Sequence, residues 1–96
     1  MARVENKKTS KARGGEIAMN IGRPSIAGNP YHIGRDGTRY EVIAKYRKRL
    51  LNDPALLQRI REEYATADVL LCYCPPLPCH GDVLLELGVG RQSVAA

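Results

Sequence analysis

The chain has 96 residues, 44% of them apolar, with no Phe or Trp, three Cys and a formal charge of +5. This allows one domain with a small core, whose large buried side chains must come from Leu, Ile, Val, Met and some of the five Tyr. No apolar stretch resembles a signal peptide or approaches the ~20 residues needed to cross a bilayer, so a soluble, cytoplasmic protein with no membrane partner is expected.

The positive balance favours acidic or phosphorylated partners, nucleotide or nucleic acid among them. An odd number of cysteines in such a setting argues against a disulfide framework. It favours free thiols, a metal site or catalysis.

Residues 1–15 carry Arg3, Lys7, Lys8, Lys11 and Arg13 against Glu5. Composition alone reads as a basic tail. Pattern favours a hairpin instead, with one strand over residues 2–8, a turn at Gly14-Gly15 and a second strand over 16–21. Ile17, Met19 and Ile21 alternate there as a half-buried strand requires.

Residues 22–37 are punctuated by Gly-Arg-Pro, Gly-Asn-Pro and Arg-Asp-Gly, which is loop chemistry. Thr38-Arg39-Tyr40-Glu41 then matches a capping box. The helix it opens should run to about Leu51, burying Val42, Ile43, Tyr46 and Leu50 and leaving Lys45, Lys48 and Arg49 as a basic outer face. Asp53-Pro54 starts a second helix, with the aspartate as cap and Leu56, Leu57, Ile60 and Tyr64 turned inward. Residues 69–74 read as a buried strand, and 82–87 as a short helix ended by Gly88.

All three cysteines and His80 fall in Cys72-Tyr73-Cys74-Pro75-Pro76-Leu77-Pro78-Cys79-His80-Gly81-Asp82. On a strand Cys72 and Cys74 would share a face. Cys79 and His80 would arrive at a helix start, where the dipole favours a thiolate. Three readings compete. In one, Cys72, Cys74, Cys79 and His80 hold zinc, the candidate cofactor, although their spacing is not that of a usual zinc knuckle. In the preferred one, Cys79, His80 and Asp82 act as nucleophile, acid–base or ligand contacts at the carboxyl end of the strand. In the third, the thiols are small buried hydrophobes and His80 is a hydrogen-bonder.

The loop that would face them supplies Arg23, Ser25, Gly28, Asn29 and Arg35 as candidate ligand-binding residues. A guanidinium suits a phosphate or carboxylate, and Asn29 before Pro30 can close a turn. The bland alternative pairs Arg23 with an acid such as Asp82. Gly34-Arg35-Asp36-Gly37-Thr38 with Glu41 is partly similar to the Gly-Gly-x-Gly-Thr-x-x-Glu signature of nucleotide-processing Rossmann-like hydrolases. The capping box accounts for Thr38 and Glu41 without it. His32 is assigned no role.

Ile21-Gly22-Arg23-Pro24-Ser25, Gly28-Asn29-Pro30-Tyr31, Ile33-Gly34-Arg35-Asp36-Gly37-Thr38-Arg39, Cys72-Tyr73-Cys74-Pro75 and Cys79-His80-Gly81-Asp82-Val83-Leu84 occur in one order. Together they resemble the uncharacterised domain-of-unknown-function family 4326 of phages and bacteria, over about residues 4–87. The resemblance implies an N-terminal strand at Val4, Asn6 and Lys8. Family members often carry Lys-Trp where Ile26-Ala27 stands, and Trp where Tyr73 stands. If that Lys-Trp pair contacts a base or phosphate, part of the contact is absent here. The Cys-His step is also similar, more loosely, to that of another small α/β family.

The expected fold is a single α/β domain over 1–96, ordered over 2–88 and fraying over 89–96. It would be a Rossmann-like fragment with a three- to four-stranded sheet and two to three packed helices. Arg23, Asn29, Cys72, Cys74, Cys79, His80 and Asp82 should line one site. The expected function is that of a phage-type accessory protein binding or processing a nucleotide or nucleic-acid component. The alternative is a non-enzymatic, zinc-stapled interaction protein that docks its basic helix face on a host protein or nucleic acid.

Overall fold

The computed structural model describes residues 1–92. Three strands, β1 (Arg3–Asn6), β2 (Ala18–Asn20) and β3 (Val69–Cys72), form one sheet in the order β1-β3-β2. Both outer strands run parallel to β3, with Val4 opposite Leu70 and Met19 opposite the same residue. The expected hairpin is therefore corrected. β1 and β2 do not pair, because the apolar β3 inserts between them, and a parallel neighbour cannot be reached through a tight turn. Among the described residues the sheet has three strands, not four.

Three helices complete this mixed α/β fold: α1 (Arg39–Leu51), α2 (Pro54–Glu63) and α3 (His80–Glu86). Each starts where local chemistry satisfies its free amides. Thr38 and Glu41 form the capping box of α1, and the Asp53 side chain accepts from the Leu56 N–H at the head of α2. α3 begins two residues before the expected position, capped by Cys79 and Asp82. Gly88, with φ of +81°, follows its end.

The core is built from the residue types that composition requires. Ile21, Tyr46, Leu50, Ile60, Leu70, Leu84 and Val89 are almost fully buried. Each side chain of that size contributes roughly 1.5–3 kcal/mol on burial. Tyr46 is 1% exposed, and its hydroxyl donates to the Ala27 carbonyl at 2.6 Å, satisfying its polar end. Of the segment expected to fray, Val89 is fully buried and Arg91 is docked. The Arg91 guanidinium pairs with Asp68 at 2.6 Å, and its backbone carbonyl accepts from the Ala2 N–H. Residues 93–96 of that segment lie outside the described residues.

Parallel order has one consequence for function: all three strands deliver their carboxyl ends to the same edge. The segments leaving there are residues 7–17 after β1, 21–38 after β2 and 73–79 after β3. Among the described residues no helix is long and apolar enough to cross a membrane.

Candidate functional site

A cavity of about 270 Å³ opens at this edge. Lys7 comes from the turn after β1, Asn20 from the end of β2, and Gly22, Arg23, Asn29 and Tyr31 from the loop that follows it. Arg39 comes from the head of α1, Cys72 from the end of β3, Tyr73, Cys74 and Cys79 from the segment after it, and His80 from the start of α3. Among the described residues three cations therefore line the cavity, and no Asp or Glu does.

Asn6, the last residue of β1, organises one side. Its Nδ2 donates to the carbonyls of Tyr73 (3.0 Å) and Pro75 (2.9 Å), while its Oδ1 accepts from the Lys8 N–H at 2.8 Å. One side chain thus fixes both the cysteine segment and the turn carrying Lys7. Tyr73 is 62% exposed, and the Lys7 ammonium lies 5.6 Å from its ring centre.

Opposite, residues 22–28 fold into successive tight turns, with Ser25 N–H donating to Gly22 O and Gly28 N–H to Ser25 O. A Cβ on Gly28 would fall 3.1 Å from the Arg23 backbone, so any side chain there would push the two turns apart by a few tenths of an ångström. Asn29 closes its own turn by accepting from the Tyr31 N–H, and its Nδ2 donates to Val42 O on α1. Its backbone carbonyl takes Arg23 Nη1 at 3.2 Å. Asn29 therefore holds the loop and aims Arg23, its amide engaged within the fold. His32, assigned no role from sequence, also meets Arg23 Nη1 at 3.2 Å.

The cysteine–histidine segment departs from expectation in detail. β3 ends at Cys72, so Cys74 leaves the strand and is half-buried, while Cys72 and Cys79 are buried with their Sγ atoms 3.2 Å apart. Cys79 Sγ also accepts from the Gly81 N–H at 3.3 Å. The hydrogen bond shared with Cys72, then the Gly81 N–H, holds the Cys79 thiol below its ordinary pKa. The same shared bond, followed by burial, pushes Cys72 up.

His80 is 8% exposed, packs edge-on against Tyr46 and places Nε2 2.7 Å from the Ile21 carbonyl. A carbonyl accepts only, so Nε2 carries the proton and Nδ1 is left as an acceptor. Burial pushes His80 below its ordinary pKa, and the charge of Arg23 adds to this against the Ile21 hydrogen bond.

Several expected site residues lie elsewhere. Asp82 does not line the cavity; its Oδ2 accepts from the Cys79 N–H at 3.1 Å, as the third residue of a capping box. Ser25 Oγ is buried without a hydrogen-bond partner and does not reach the cavity wall. Gly28 shapes the loop from behind. Arg35 points outward and pairs with Asp36. Arg23 and Asp82 form no ion pair. Among the described residues no group of three or more His, Cys, Asp or Glu side chains is placed to hold a metal ion. The expected zinc set of Cys72, Cys74, Cys79 and His80 is not such a group among the described residues, and His80 Nε2 is engaged with the Ile21 carbonyl.

Sequence reasoning missed Lys7, Tyr31, Arg39 and Tyr73 as cavity residues. Arg39 stands at the end of one family-like block and Tyr73 between two cysteines, so both carried a positional signal. Lys7 carried none beyond its charge.

Residues 4–90 match the family described as Domain of unknown function (DUF4326). The chain belongs to that family. No curated protein and no solved structure matches it. The DUF4326 match spans β1 from Val4, all of β2 and β3, all three helices and every cavity residue named above. Ile26 and Ala27, where the chain departs from the resemblance noted above, do not line the cavity. Ala27 is fully buried, and Ile26 packs against the core. Tyr73 does line it.

Proposed function

We propose that this protein binds a nucleotide or a nucleic-acid component in the cavity at the carboxyl edge of its sheet. The observation that carries the reading is the lining itself: Lys7, Arg23 and Arg39 converge with no acidic side chain among them. Such a cavity favours an anion, and guanidinium groups suit phosphate oxygens in particular. Tyr31 and Tyr73, which also line the cavity, supply aromatic faces for a base. Three parallel strands whose carboxyl ends gather these loops support the Rossmann-like reading of the fold, since open α/β sheets bind ligands at that edge. Cys79 and His80 stand on the wall as the groups able to act on a bound nucleotide, His80 through the Nδ1 lone pair of its neutral ring.

The test is calorimetric titration of the purified chain with a panel of nucleotides and inorganic phosphate at low salt. Arg23→Ala and Arg39→Ala should each weaken binding about 10- to 100-fold, the loss of a charge-assisted hydrogen bond worth ~1.5–3 kcal/mol. No binding across the panel, or binding unaffected by both changes, refutes the assignment.

A second reading rests on the exposed basic residues Lys48 and Arg49 in the last turn of α1, which form no ion pair among the described residues. They suit docking on an acidic protein or nucleic-acid surface. Reversing both charges should abolish such docking and leave nucleotide titration unchanged.

A further inference from the structure

Two of the three free cysteines are already in contact. Cys72 and Cys79 Sγ lie 3.2 Å apart, closer than the ~3.5–4.0 Å at which non-bonded carbon atoms pack. One thiol ends β3 and the other caps α3, seven positions apart, with residues 73–78 bridging them. Both are buried but line the cavity, which is the route by which a small reagent would approach them. Cys74 lines the same wall but is more exposed than either.

We propose that Cys72 and Cys79 form a dithiol that is reversibly oxidised to an intramolecular disulfide by exchange with a small-molecule disulfide. The Cys79 thiolate attacks one sulfur of the reagent, forming a mixed disulfide and releasing one thiolate. Cys72, losing its proton to that thiolate, then attacks Cys79 Sγ and expels the second. The two cysteines lose two electrons and two protons, and the reagent gains both as two free thiols. Cys79 is the attacking sulfur because the Gly81 N–H and the Cys72 thiol both stabilise its anion. The bridge would tie the segment bearing Tyr73, Cys74 and Pro78 across its base, making the cavity wall sensitive to thiol redox state.

The experiment uses the full, reduced chain incubated with 2-hydroxyethyl disulfide, then unfolded, alkylated and weighed. Alkylatable thiols should fall from three to one, with a loss of about 2 Da before alkylation. Fragmentation should place the bridge between Cys72 and Cys79. Cys74→Ser should form the same bridge, whereas Cys72→Ser should stop at the mixed disulfide on Cys79. Reaction in concentrated urea should give mixed pairings, since the fold no longer selects a pair. A bridge to Cys74, three thiols still alkylatable, or the same pairing pattern in urea as in buffer would each overturn the proposal. Wild-type fragmentation decides the matter even if a variant does not fold, and the readout needs no nucleotide.

Discussion

Gly81→Ala probes how tightly the site is tied to the sheet. An added Cβ would lie 2.8 Å and 3.0 Å from the two Val4 methyl groups and 2.9 Å from Ile21 Cδ1. Carbon atoms pack best at roughly 3.5–4.0 Å, so α3 or the strands must yield by about 0.5–1 Å. Overpacking of that order costs about 1–3 kcal/mol. Better helix propensity returns at most about 1 kcal/mol, and less in the first turn. The net loss of about 1–2 kcal/mol should lower the melting temperature by roughly 5–15 °C in a domain of this size. Calorimetry on Gly81→Ala beside Gly14→Ala gives the comparison, because nothing lies within 4 Å of a Cβ at Gly14. Adding Val4→Ala to Gly81→Ala should recover part of the loss, a coupling that distant sites would not show. A Gly81→Ala protein melting at or above wild type would refute the packing of α3 on Val4 and Ile21.

Asn6→Asp retains the acceptor for Lys8 but turns a carboxylate towards the Tyr73 and Pro75 carbonyls; urea denaturation should show a loss of about 1–3 kcal/mol. Acid should destabilise the fold through Glu16, which its hydrogen bond with Arg3 and then the Arg13 N–H hold down to about 2 against an ordinary 4.5. A depressed carboxylate stabilises above its unfolded pKa, and that contribution is lost as pH falls from 4.5 towards 2. Melting followed across that window should slope less in Glu16→Gln; an unchanged slope would contradict the pairing. His80 should remain neutral below its ordinary value of 6.5, and because the unfolded chain binds that proton first, it adds a further loss of stability just under that pH. Nitrogen-detected NMR titration of the ring checks this, and protonation at or above 6.5 would contradict its burial.

The helices were legible because their signals are local. Thr38 with Glu41, and Asp53 before Pro54, specify starts that need no partner elsewhere in the chain. Strand order is not local. The alternation of Ile17, Met19 and Ile21 marks a strand half-covered by protein, but it cannot say which strand lies alongside. The unbroken Val69-Leu70-Leu71 run held the missing clue, since a strand apolar on both faces belongs in the centre of a parallel sheet. Once β3 is central, β1 and β2 must be its neighbours, and a hairpin between them is excluded.

At the site, Arg23 and the cysteine–histidine segment stood out by residue type. Lys7 and Arg39 did not, because only the parallel topology brings their segments to one edge. Asp82 carries a local signal of a different kind. A carboxylate three residues after a helix start is a capping signal, yet the cap here is Cys79, which is outside the usual set of Ser, Thr, Asp and Asn. Its carboxylate spacing therefore also specifies the start of α3. Arg35 shares the loop with Arg23, but its guanidinium pairs with Asp36 at 3.1 Å, a local contact that residue type does not reveal.

The central claim is that the basic cavity is the ligand site. Amide chemical-shift mapping of the labelled chain during titration with a nucleoside 5′-phosphate tests it most directly. The account predicts perturbations gathered at Lys7, Gly22, Arg23, Arg39 and Tyr73, saturating with the nucleotide and requiring about 10- to 100-fold more of it in Arg23→Ala. Perturbations confined to Lys45, Lys48 and Arg49, or none at saturating nucleotide, would contradict it.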